Sequence, residues 1–211
     1  MKYKHVSQKP YSCVPACVQM VLQRRKLPLR SQTKIAYDLG VVLPPADRHL
    51  LPKSYKGSKP GAGWGTRLNL KKYSLAAFLK QQKYPLQATR HSVEEFKSIK
   101  QFKKFLLDNM DKDNDLLVCF NYPRLYRLAG DWGHASLIEE VNQKQIVLRD
   151  PSSKYKTARK VLLADLLAAL KKHYQGGIWV INEASTGSSS LLSPDVHRDG
   201  VGRPRSFCEG G

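Results

Sequence analysis

The chain has 211 residues, with 36 Lys plus Arg against 17 Asp plus Glu, a formal net charge of +19 at pH 7. Its 41% hydrophobic and 25% charged residues are close to a soluble globular average, which excludes collagen-like, coiled-coil and wholly disordered chains. No apolar run reaches the roughly 20 residues that a membrane-spanning helix needs, so an integral membrane segment is not expected. Residues 1–8 are polar and show no apolar stretch of a Sec-type signal peptide, so the expected location is cytoplasmic, or outside the cell by a non-Sec route.

In chain order, residues 12–25 read as a helix, because Val14, Cys17, Val18, Val21 and Leu22 recur at helical spacing. Ser12 stands at the N-cap position and Pro15 falls in the first turn. Residues 31–39 form a second short helix, closed by Gly40. Residues 41–66 are rich in Gly and Pro and read as a long loop, in which Trp64 anchors its own loop. Residues 75–82 are helical and 86–89 form a strand. Residues 93–109 read as one helix with Phe96, Ile99, Phe102, Phe105 and Leu106 facing inward. Residues 116–122 form a buried strand that holds Cys119 as a core residue, and 135–141 with 145–149 form a hairpin. Residues 161–173 are helical and 178–182 form a closing strand. From residue 183 the composition shifts to Ser, Gly, Pro and Arg, so 1–182 is expected to be one domain and 183–211 a disordered basic tail. Helices first and a sheet later point to an α+β fold with N-terminal helices packed on an antiparallel sheet.

The charge is uneven. Between residues 41 and 72, Asp47 stands alone against Arg48, Lys53, Lys56, Lys59, Arg67, Lys71 and Lys72. Such a field attracts an anionic partner (nucleic acid, anionic lipid or acidic protein), or it is only a solvated surface; no RNA- or DNA-binding motif accompanies it. The oligomeric state is not legible. Cys13, Cys17, Cys119 and Cys208 form no CxxC pair, which removes a zinc ribbon and a thioredoxin motif. The remaining histidines show no ligand spacing, so no metal and no cofactor are expected.

Chemistry concentrates at Gln8-Lys-Pro-Tyr-Ser-Cys13-Val-Pro-Ala-Cys17. A cysteine at a helix N-terminus has its thiolate favoured by unpaired N–H groups and the helix dipole, which can bring a thiol pKa from about 8.5 into the range of roughly 3.5–7.5. Residues 1–37 contain no acid to oppose an anion. Cys17, one turn further on, reads as core packing. The Gln8 amide is a candidate donor to a developing oxyanion. A thiolate needs a base and the base an orienter. Gly130-Asp-Trp-Gly-His134 opens one strand of the predicted hairpin and Asp150-Pro151 ends the other, which sets His134 beside Asp150. Gly133 leaves backbone room for a substrate, and Trp132 is placed to line a cleft.

Gln8, Tyr11-Ser-Cys13-Val-Pro-Ala, Gly133-His134-Ala and Asp150-Pro151 resemble the papain-like cysteine peptidases of the C39 group, the bacteriocin-processing peptidases and their stand-alone relatives. The resemblance spans residues 6–182 and implies a papain-like fold, Cys13 as nucleophile, His134 as general base and acid, Asp150 as orienter and Gln8 as oxyanion donor. It implies a peptide or protein substrate and hydrolysis of an amide bond. The same residues also serve acyl transfer or side-chain deamidation in toxin-like relatives of the fold, and a basic binding module with an idle triad is the alternative outside enzymes. Val14 stands where many members have Gly, and Gln8 lies one residue closer to Cys13 than is usual. No exporter segment follows.

Overall fold

Residues 115–121 are all buried, and they become an interior strand of a six-stranded sheet in the computed structural model, which describes residues 2–50, 64–110 and 113–184. The strands are β1 (Leu86–Ser92), β2 (Asp115–Asn121), β3 (Gly133–Val141), β4 (Gln145–Arg149), β5 (Arg159–Leu162) and β6 (Gly177–Glu183). They pair in the order β1-β6-β2-β3-β4-β5, antiparallel throughout. Side chains alternate across a strand, so β2 splits its apolar run between two cores. Leu117 and Cys119 face one side with Ala135, Leu137, Trp179 and Ile181; Leu116, Val118 and Phe120 face the other with Ile138, Leu148 and Val180.

Helices cover both faces, which a reading of N-terminal helices against one sheet face does not contain. On the first face lie α1 (Cys13–Arg24), α2 (Gln32–Asp38) and α3 (Leu75–Gln81); on the second lie α4 (Ile99–Asn109) and α6 (Leu163–Lys172). The short helix α5 (Tyr122–Tyr126), begun by Asn121 whose side chain accepts from Arg124 N, turns the chain from β2 toward β3. A continuous apolar run in β2 is what a strand buried on both faces requires.

Four expectations are corrected. The single helix over 93–109 is a 3-10 turn at Val93–Glu95, an extended link and then α4, because Ser98 caps α4 by accepting from Gln101 N. Ile99 is therefore exposed rather than inward, while Phe102 and Leu106 are buried. The helix over 161–173 begins two residues later, at Leu163, since 159–162 pair with β4 as the edge strand β5. Ser12 occupies the N-cap position but its hydroxyl donates to Pro10 O (3.1 Å) and caps nothing. The expected tail from residue 183 loses Glu183 to β6, and Ala184 N donates to Pro85 O; its remainder from 185, with Cys208, and the basic loop over 51–63, with Lys53, Lys56 and Lys59, lie outside the described residues. Among the described residues no helix is long and apolar enough to cross a membrane.

Candidate active site

Cys13 is the first residue of α1, and the segment before it is held in an unusual shape. Tyr11 sits at φ 57°, a left-handed conformation that costs a non-glycine residue of the order of 1–3 kcal/mol. Its hydroxyl donates to Asp47 (2.6 Å), and its ring packs on Ala36, Val41 and Leu43. That kink turns the chain into α1 with Cys13 half-buried at the mouth of a cleft. The first turn of α1 contains no acid and Ser12 makes no side-chain cap hydrogen bond there, so the N–H groups and the dipole of that end favour an anion at Cys13.

His134 is the second residue of β3, opposite Phe120 of β2. Phe120 and Tyr122 meet its ring edge-on, with centroids 5.7 and 5.0 Å away. Asp150 follows β4, the hairpin partner of β3, so its carboxylate reaches His134 Nε2 at 2.9 Å. Asp150 is fully buried and also accepts from Ser152 N (2.8 Å). Cys13 lines the same cleft as His134, and its thiol is among the groups that raise the His134 pKa. Residues 121 positions apart in the chain thus share one cleft, with the carboxylate against the imidazole.

The charges reinforce one another. Burial alone lowers the His134 pKa, but the hydrogen bonds and charges of Asp150 and Cys13 outweigh it and raise it to about 9. Burial alone raises the Asp150 pKa, and the His134 hydrogen bond and charge turn it below the ordinary carboxylate value. Burial pushes the thiols of Cys17 and Cys119 well up, so these remain thiols.

Gln8 also reaches the site. Its N–H donates to Pro151 O (2.8 Å), and the Gln32 amide clamps its neighbours by accepting from Lys9 N (2.7 Å) and donating to Ser7 O (2.9 Å). The Gln8 side chain lines the cleft, and its Oε1 is buried without a hydrogen-bond partner. The cleft has a volume of about 580 Å³, in the range of sites that hold small ligands or peptide segments. Trp132 lines it, 49% exposed, as does Gly133. Trp64 also lines it, 54% exposed, next to the bridge between Val42 and Gly65; residues 51–63 of the loop that it was expected to anchor lie outside the described residues. Cys119 is core and cleft floor at once.

Sequence reasoning missed His173, which enters the cleft from the turn between α6 and β6. Burial lowers its pKa, with Asp131 opposing. No spacing links His173 to His134; the only trace is Gly133 itself, because a Cβ there would stand 2.4 Å from His173 Cε1. Gly133→Ala is therefore expected to cost about 1–3 kcal/mol of stability through overpacking. Removing the ring as well, in Gly133→Ala/His173→Ala, should restore most of that loss in urea unfolding; equal loss in the single and double variants would mean the clash is not with His173.

No protein-family model and no curated protein matches the sequence. Among solved structures, the chain is similar to a C39-like peptidase from Bacillus anthracis, with 16% identity, 85% of this chain and 94% of that one covered, and a TM-score of 0.53. It is also similar to a double glycine motif protease from an AMS/PCAT transporter, solved in complex with the leader peptide, with 14% identity, 87% and 93% covered, and a TM-score of 0.51. At these identities the likeness is one of fold: the chain has the α+β, papain-like fold of C39 peptidase domains.

Proposed function

We propose that the protein is a cysteine peptidase whose reactive unit is residues 1–182 and whose catalytic residues are Cys13, His134, Asp150 and Gln8. The observation that carries this reading is His134 placed between the Cys13 thiol and the buried Asp150 carboxylate at the mouth of the cleft. Cys13 attacks the scissile carbonyl as a thiolate while His134 holds the proton. The Cys13 N–H at the start of α1 and the Gln8 amide steady the oxyanion, each such donor being worth about 2.7–4 kcal/mol in comparable sites. His134 then gives its proton to the leaving amine, and Asp150 keeps Nδ1 of the ring turned to sulfur by holding Nε2. Water, deprotonated by the same imidazole, resolves the thioester and regenerates the thiol.

Trp132 and Gly133 flank His134 and are assigned to substrate binding. The substrate is a peptide, as is the leader peptide bound by the double glycine motif protease of the same fold. Among the described residues no Lys or Arg lines the cleft.

The test is peptide turnover across pH with the site of thiol modification mapped by mass spectrometry. Iodoacetamide should label Cys13 in step with loss of turnover, with labelling of Cys208 scored separately. Because His134 must hold a proton for the leaving amine, activity should fall as pH rises through about 9. Chain cleavage is expected, and double glycine peptides belong in the first panel. Deamidation or cross-linking of partners without cleavage would transfer the same thioester chemistry to another acceptor, and turnover that kept climbing beyond about pH 10 would remove His134 from the proton-donor role.

A further inference from the structure

Behind the carboxylate stands a group that the triad does not include. Asp150 is fully buried, so each of its oxygens needs donors. Oδ1 accepts from His134 Nε2 (2.9 Å) and Ser152 N (2.8 Å). Oδ2 accepts from the Tyr126 hydroxyl (3.4 Å) and, among the described residues, from nothing else. Tyr126 belongs to α5, the short helix that the sequence does not announce. Its ring is clamped between Tyr122, at a centroid distance of 4.5 Å, and the Arg159 guanidinium, 4.8 Å above the ring centre.

We propose that Tyr126 is a positioning residue that extends the reacting array to Tyr126–Asp150–His134–Cys13, its hydroxyl holding the second oxygen of Asp150 so that the first stays aimed at His134. This inference rests on the peptidase reading for its effect on turnover. Burial and the neighbouring Asp150 push the Tyr126 pKa upward, so the hydroxyl keeps its proton and remains a donor. The groups that bear on the carboxylate come from several elements: His134 from β3, Cys17 from α1, Tyr122 and Tyr126 from α5, and Tyr155 from the segment before β5, with the Arg159 guanidinium bearing on the tyrosines. Of these, His134 and Tyr126 are the side chains that donate directly to Asp150.

Removing the hydroxyl leaves Oδ2 buried without a donor, which disfavours the carboxylate. Without that anchor the carboxylate turns and Oδ1 leaves His134 Nε2, and the lost hydrogen bond and charge contact move the His134 pKa down from about 9 toward its ordinary value. Tyr126→Phe keeps the ring and its contacts. It should lower kcat about tenfold with KM unchanged, and draw the alkaline limb of the pH profile down by about half a unit. Tyr126→Met, which fills much of the space without a hydroxyl, should move that limb the same way and serves if Tyr126→Phe folds poorly. Tyr155→Phe is the control, since the Tyr155 hydroxyl bonds Tyr122 (3.0 Å) and not Asp150.

The deciding readout is the imidazole titration of His134 by NMR, assigned by its loss in His134→Asn, because it needs no substrate. A His134 titration that moves in Tyr126→Phe but not in Tyr155→Phe supports the proposal. An unmoved titration in both Tyr126 variants overturns it even where turnover is intact. A titration that moves in a protein with no thiol-dependent turnover keeps the hydrogen-bond chain and overturns the peptidase reading instead.

Discussion

Cys13→Ala is expected to reduce turnover by about 10⁴-fold or more, and His134→Ala by a similar amount, because nucleophile and base act as one unit. The expectation is strong because nothing nearby can take over. Cys17 lies one turn below on the same helix, fully buried, and burial holds its thiol protonated. Cys119 touches the cleft from β2, yet burial raises its pKa in the same way. Cys13 is half-buried at the edge of the first core, so losing one sulfur should barely change the melting temperature. Single-turnover assays with a cleavable peptide, beside thermal melts of the same samples, measure both quantities. Retention of more than about a hundredth of the wild-type rate in Cys13→Ala would reject the sulfur as nucleophile.

The meeting of the candidate residues in one cleft was more legible than the scaffold that presents them. His134 and Asp150 end up 2.9 Å apart because a hairpin sets its two strands side by side, which was visible in the pattern of residues 135–149, and because a β-bulge between Ile138 and Glu140, which was not, shifts the register by one residue before it reaches them. Cys13 was visible because an apolar stripe at helical spacing starts beside it and Pro15 marks the first turn. By contrast, β5 was swallowed into the following helix: 159–162 is an edge strand whose burial alternates only weakly, and its existence depends on pairing with β4. The break in 93–109 depends on the Ser98 cap winning over a periodicity that runs straight through it. The second helical layer was invisible because the sequence shows that a strand is apolar on both faces without showing which helix covers which face. His173, 24 residues beyond the end of β4, and Tyr126, in a five-residue helix that propensity does not mark, reach the site through tertiary packing alone. What resists reading is thus contact between elements of unrelated spacing, and those contacts decide how tightly the reacting groups are held.

The second large effect belongs to Asp115, the first residue of β2 and fully buried. Arg24 binds both of its oxygens, Nε to Oδ1 at 2.6 Å and an Nη to Oδ2 at 2.7 Å; Arg25 Nε adds a contact of 2.9 Å, and the Tyr3 hydroxyl donates at 2.7 Å. Arg25 also donates to Asp113 O. The cluster fastens the C-terminal end of α1 to β2, the strand beside β3, while Cys13 at the other end of α1 faces His134. A buried ion pair contributes little net stability over an apolar pair, since desolvation offsets the Coulombic gain. Removing one partner is a different matter, because it leaves the other charge buried and uncompensated, at a cost of about 3–5 kcal/mol. Asp115→Asn keeps the shape and takes away the charge that two guanidinium groups share, so it should lose that full amount, or roughly 6–20 °C in Tm for a chain of this size. Urea unfolding against wild type measures it, and a loss below about 1 kcal/mol would show that the arginines find solvent or another acceptor. Turnover should fall further than the folded fraction does, because the C-terminal end of α1 would lose its bidentate ion pair to β2 and keep apolar packing with the Arg25 contacts to Asp113 O and Glu183, which resist sliding along the helix axis less.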